Sequence, residues 1–157
     1  MDAVVEAGRS RFGADTLVFG VGNAGRADDG LGWAFLDRIR RAPGFAAQAE
    51  YRYQLQVEDA LLASRFGHVV FVDASREELP GGYRWGPCAA QAASAFTTHV
   101  LPPAAVLHYC HTLYDAAPRA ELLALQGYRW DLHNGLSERA AANLSAALEA
   151  SREPLPA

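Results

Sequence analysis

The sequence predicts an α/β fold: three α/β/α layers around a mostly parallel sheet of about five strands, with one antiparallel edge strand. Short apolar runs alternate with longer amphipathic stretches in the order β-α-β-α-β-(β)-α-β-α, as a layered parallel sheet requires. Half of the residues are hydrophobic and 20% are charged, the balance of a globular core. At 157 residues the chain has the length of one domain. Residues 15–150 form the expected core, and the first dozen residues and Glu153–Ala157 read as frayed ends.

Leu17–Val21 is a continuous apolar run closed by Gly22 and Asn23, the pattern of a buried strand. From Asp29 to Arg41 the residues Gly32, Phe35, Leu36 and Ile39 recur at helical spacing, with Asp28 as expected N-cap and Pro43-Gly44 as stop. Tyr51–Gln56 alternates as a strand does. Val57–Arg65 reads as a short helix with Glu58 and Asp59 in its first turn, where the helix dipole favours anions. Val69–Val72 is the clearest strand and runs into Asp73. Pro80-Gly81-Gly82 marks a turn, and Tyr83–Gly86 an edge strand. Pro102–Tyr114 is a helix whose apolar side is expected to hold Val106, Leu107, Cys110, Leu113 and Tyr114. Leu122–Leu125 is the next strand. Ser137–Ala150 is the last helix, opened by a serine cap or a capping box.

Composition excludes several functions. The formal net charge is −4, so the chain lacks the basic footprint of a nucleic-acid binder. All 14 basic residues are arginine, which removes lysine Schiff-base and P-loop chemistry. Cys88 and Cys110 are too few for a disulfide scaffold and are expected as free thiols in a reducing compartment. No apolar run is long enough to span a bilayer. Asp2 and Glu6 stand where a secretion signal needs basic residues. A cytoplasmic location without membrane or nucleic-acid partners is expected.

Parallel sheets bind ligands beyond the carboxyl ends of their strands. That places Gly22–Asp29, Gln54–Gln56 and Asp73–Ser75 in view. Gly20-x-Gly22-x-x-Gly25 has dinucleotide-fingerprint spacing, but the helix signals begin only near Asp28, and two carboxylates sit where a pyrophosphate would land. A carboxylate at a strand–helix junction fits better, with either Asp28 or Asp29 as cap and the other side chain free. An acidic pair there can also do no more than favour the helix dipole. A second acid on the same rim, Asp73, shifts the balance. Converging carboxylates repel, so one keeps a proton or a cation neutralises both. An imidazole would complete a site for a borderline metal such as zinc or nickel.

Five histidines compete for that role. His68 lies at the amino end of its strand, the wrong rim, and is expected at the surface. His108 and His111 fall on the polar side of their helix, and His133 sits in a polar loop. His99 lies in a loop that opens a helix, where sites often form, and ranks first. Gln54 and Gln56 on the same rim either bind substrate backbone or satisfy their loop. Gly22 and Asn23 are further substrate-binding candidates, with Asn23 able to hold its turn through its side chain. Trp33, Trp85 and Trp130 are expected as partly buried packing.

These segments together (Gly20-Val21-Gly22-Asn23, Asp28-Asp29-Gly30-Leu31-Gly32, Val70-Phe71-Val72-Asp73-Ala74, Thr98-His99) resemble the hydrogenase maturation endopeptidases. The resemblance runs from about Leu17 to Leu148 and includes Leu125-Gln126-Gly127 and Gly135-Leu136-Ser137. It implies an enzyme that clips a short C-terminal peptide from the large-subunit precursor of a nickel-iron hydrogenase after metal insertion. The metal-contacting and catalytic residues it implies are Asp29, Asp73 and His99. No obligate cofactor is implied, because the nickel arrives with the substrate. The chain departs from the family pattern at Asp29, where glutamate is frequent, and at Ala24–Ala27, which lacks the usual Pro-Leu. The alternatives are a non-catalytic metal-dependent checkpoint for the same client, a different peptidase on this scaffold, and a nucleotide- or phosphate-binding domain. The oligomeric state stays open.

Overall fold

A computed structural model describes residues 11–92 and 101–152. The elements are β1 (Thr16–Val21), a 3-10 turn at Ala27–Gly30, α1 (Leu31–Ile39), β2 (Gln48–Arg52), α2 (Asp59–Ala63) and β3 (His68–Ser75). They continue with a 3-10 turn at Pro80–Gly82, β4 (Tyr83–Pro87), α3 (Pro103–Tyr114), β5 (Arg119–Gln126) and α4 (Glu138–Ser151). The five strands form one sheet in the order β2-β1-β3-β5-β4. All neighbours are parallel except β4 and β5. The fold class is as the sequence predicts.

Strand periodicity divides the core in two. Val18, Val70, Val72, Leu123 and Leu125 point to the face covered by α1 and α4. Leu17, Phe19, Val69 and Phe71 point to the opposite face, covered by α2 and α3. Because the central strands β1 and β3 bury both faces, they carry unbroken apolar runs instead of alternating ones. The chain winds outward from β1 in both directions, so the gap between the carboxyl ends of β1 and β3 is the switch point of the sheet, where such folds open a crevice.

Several boundaries differ from expectation for identifiable reasons. β2 starts earlier than the Tyr51–Gln56 alternation suggests and stops at Arg52, because its partner β1 stops: Val21 pairs with Arg52 and Gly22 N donates the last bond to Arg52 O. β3 runs on through Asp73 to Ser75 because β5 continues beside it after β1 has ended. Phe12, expected in a frayed end, is buried against Phe35 and Phe45. Leu113 and Tyr114, expected on the buried side of α3, are exposed, since the last turn of the helix lies past the buried stripe of Ala105, Val106, Leu107 and Cys110. Ser137 Oγ accepts from Ala140 N, a simple serine cap on α4. Cys110 and Cys88 are free, and burial pushes both thiols up.

His68 is not at the surface. It is buried, with Nε2 2.9 Å from Glu121 Oε1 and Nδ1 3.3 Å from Thr16 Oγ1. Arg11 Nη1 closes the cluster 3.0 Å from Glu121 Oε2. The His68 hydrogen bond, with the Arg11 charge behind it, holds the Glu121 carboxyl below its ordinary 4.5. A depressed carboxyl contributes stability that is present above its unfolded value and is lost as pH falls through the folded one. Acid titration followed by circular dichroism should therefore show Glu121→Gln less stable than the parent near neutrality, with the gap narrowing below pH 4.5.

Candidate functional site

The crevice at the switch point is built by close backbone approach. Gly32, in the first turn of α1, lies on the sheet so tightly that a Cβ there would stand 2.5 Å from both Val21 O and Val72 O. This docks the start of α1 across the carboxyl ends of β1 and β3. Gly22 has φ +139°, and a Cβ on it would stand 2.0 Å from Asp29 O. The chain therefore folds back on itself between Gly22 and Asp29. Asn23 Oδ1 accepts from Gly25 N at 2.9 Å and holds the turn, as its residue type suggests.

Asp29 is half-buried at this opening, and its Oδ2 accepts from Asn23 N at 3.0 Å. Asp73 enters the same opening from β3, at a position where β1 has ended but β5 still pairs with it. Its Oδ1 accepts from Ala74 N at 2.8 Å. Burial pushes the Asp73 carboxyl up to about 7; the Ala74 amide opposes this, and the negative charge of Asp29 adds to it. Two acids, Asp29 from the turn before α1 and Asp73 from β3, thus share one cleft, and Asp73 exchanges its proton near neutrality. A divalent cation between them would relieve both burial and repulsion.

His99, the third expected member, lies outside the described residues. Among the described residues no group of three or more His, Cys, Asp and Glu is arranged to hold a metal ion. Gly22 and Asn23 build the acid-bearing turn. The side chains of Gln54 and Gln56 are exposed beyond β2, with Gln56 N donating to Asp59 Oδ2 at 2.9 Å. Asp59, read from sequence only as a first-turn acid, is buried and also pairs with Arg52 at 3.0 Å. It fixes the loop that follows β2. Beside it Tyr53, two-thirds exposed, stacks on Trp33 at 5.1 Å. Trp33, Trp85 and Trp130 are all half-buried, as expected of packing.

Asp28 corrects its expected role. It does not cap α1, and neither does Asp29; no side-chain cap bond exists at either helical start. Asp28 is fully buried and faces the segment after β5. Burial by itself would raise its carboxyl, but hydrogen bonds from Ser137, Tyr128 and Arg129 outweigh it and hold the group below the ordinary range. The dinucleotide spacing is not matched by a fingerprint loop, since α1 begins only at Leu31 and the acidic turn comes between. A separate cavity of about 410 Å³ at the far end of β5, walled by Cys88, Leu107 and His111 among others, has no carboxylate in its lining.

The doubly wound sheet with one antiparallel edge strand is an architecture that solved structures share. The HycI [NiFe] hydrogenase maturation protease from Thermococcus kodakarensis KOD1 superposes with a TM-score of 0.66 at 21% identity, over 87% of this chain and 89% of that one. The hydrogenase maturating endopeptidase HybD from E. coli does so with a TM-score of 0.63 at 20% identity, over 86% and 88%. A hydrogenase 2 maturation peptidase from Thaumarchaeota archaeon SCGC_AB-539-E09 gives 0.61 at 20% identity, over 86% and 93%. No protein-family model and no curated protein matches the sequence. The chain has the fold of the hydrogenase maturation endopeptidases, over nearly its whole length.

Proposed function

We propose that this chain is an endopeptidase that removes a short C-terminal peptide from the large-subunit precursor of a nickel-iron hydrogenase once the metal is inserted. The observation that carries the reading is the convergence of Asp29 and Asp73 at the switch point, with the Asp73 carboxyl pushed up to about 7 by burial. The shared fold supports it, as do the segments that resemble the family. The metal is part of the substrate: a nickel ion held by the precursor's own thiolates receives two carboxylate oxygens, from Asp29 and Asp73, and an imidazole nitrogen from His99.

Cleavage is then coupled to metal loading through binding energy. An unloaded precursor brings no cation to satisfy this partly buried acid pair, and docks poorly. A loaded one brings the charge that neutralises them. The scissile bond is attacked by water, with a carboxylate of this pair or the ion itself lowering the cost of removing its proton. A protein that reads the loaded precursor without cutting it would need the same three groups, so mass is the deciding measurement. Mixing the chain with nickel-loaded precursor should shorten the large subunit by one C-terminal peptide, and metal-free precursor should stay intact. An unchanged mass with stable complex formation would instead mark a checkpoint.

A further inference from the structure

We infer that Asp28 is a positioning residue: its buried carboxylate latches the segment from Gly127 to Ser137 onto the acid-bearing turn, making that segment a fixed second wall of the opening. The two neighbouring acids divide the work. Asp29 faces the cleft, while Asp28 faces the segment between β5 and α4.

Both oxygens of the Asp28 carboxylate accept from that segment, four hydrogen bonds in all. Oδ2 accepts from Tyr128 N at 2.7 Å, Arg129 N at 2.9 Å and Ser137 Oγ at 2.7 Å. Oδ1 accepts from Ser137 N at 2.7 Å. An ionised carboxylate is the one side chain of this size that accepts at every site and donates at none. The backbone repeats the pairing. Asp28 N donates to Arg129 O at 3.0 Å, Ala27 N to His133 O at 2.8 Å, and His133 N to Gly25 O at 3.1 Å. Ala27 takes a left-handed φ of 51°, a costly conformation for a residue with a Cβ, and this turns Asp28 inward. The segment held this way includes Leu132, three-quarters exposed, and Trp130, whose ring lies 4.3 Å beneath the Arg76 guanidinium just past β3. Asp28 thereby sets the distance between the acid pair and this mainly polar segment, whose apolar positions include the exposed Leu132 and the half-buried Trp130.

The latch is independent of the peptidase reading; its consequence for substrate rests on that reading, and two measurements separate them. In Asp28→Asn the size is kept, but the amide nitrogen must face at least one donor. Hydrogen exchange should show the amides of Tyr128, Arg129 and Ser137 opening at least about tenfold faster than in the parent, relative to Val70 and Phe71 in β3. With nickel-loaded precursor, KM should rise about tenfold while kcat stays within about threefold, the pattern of lost positioning and not of lost chemistry. Ser137→Ala, which removes one donor to Asp28, should move KM the same way by about threefold and carries the test if Asp28→Asn does not fold. Exchange of the three amides in step with β3, or a fall in kcat at constant KM, would overturn the inference. A parent protein that cuts no precursor refutes the proposed function and leaves exchange to decide the latch.

Discussion

Replacing Asp73 with asparagine is expected to abolish precursor processing and, in the same protein, to raise thermal stability above pH 7. Both effects come from one cause. Asp73 is carried into a partly buried cleft beside Asp29, and its carboxyl is pushed from 3.8 up to about 7. A group whose folded value lies above its unfolded value binds its proton more tightly in the native state. The contribution of this group to stability is therefore greatest in acid and is lost as pH rises from 3.8 to about 7. Each pH unit in that window costs about 1.4 kcal/mol, so the total penalty at pH 8 is on the order of 4 kcal/mol. Asparagine keeps the acceptor that Ala74 N uses and carries no charge to bury. Melting curves of parent and variant should coincide near pH 4 and separate up to pH 7, the variant staying higher, while processing falls by at least about a hundredfold. A variant that melts lower than the parent at pH 8 would show that the Asp73 charge is paid for by a partner within the chain and not by a client's cation.

The second large effect is on the frame of the cleft. Gly32→Ala places a methyl group 2.5 Å from Val21 O and Val72 O, two backbone atoms of central strands that have no freedom to yield. Helix α1 must lift from the sheet, and Phe35, Leu36 and Ile39 lose their packing with it. Overpacking of this kind costs about 3 kcal/mol or more, a large share of the roughly 5–15 kcal/mol that stabilises a domain. Because Asp29 rides on the turn that leads into α1, the lift also moves it relative to Asp73 in β3. Urea denaturation should register the loss. At a temperature where the variant is still folded, its processing rate should fall with no change in the residues that face the cleft.

The central strands were legible in the sequence because their signal is local. Leu17–Val21 and Val69–Val72 are apolar throughout, and a strand buried on both faces has no other way to read. The rim positions of Asp29 and Asp73 follow from those two strands and from the rule that parallel sheets open at their carboxyl ends. What escaped depends on partners far away in the chain. β2 ends where β1 ends, which its own alternation at Tyr51–Gln56 does not encode. His68 is buried because Thr16 and Glu121, more than fifty residues away on either side, arrive at its ring. Asp28 looks like a helix cap next to its twin, and its true partners lie a hundred residues on. The one local hint is the pairing of adjacent acids, since a helix start needs only one.

The most direct measurement is a crystal structure of the chain soaked with nickel, with data collected at the metal's absorption edge. One anomalous peak is expected at the switch point, bound at about 2.0–2.2 Å by an oxygen from each of Asp29 and Asp73 and by an imidazole nitrogen of His99. A peak that engages one of these acids without the other, or that sits on different histidines while the cleft stays empty at saturating nickel, would contradict a shared cation site.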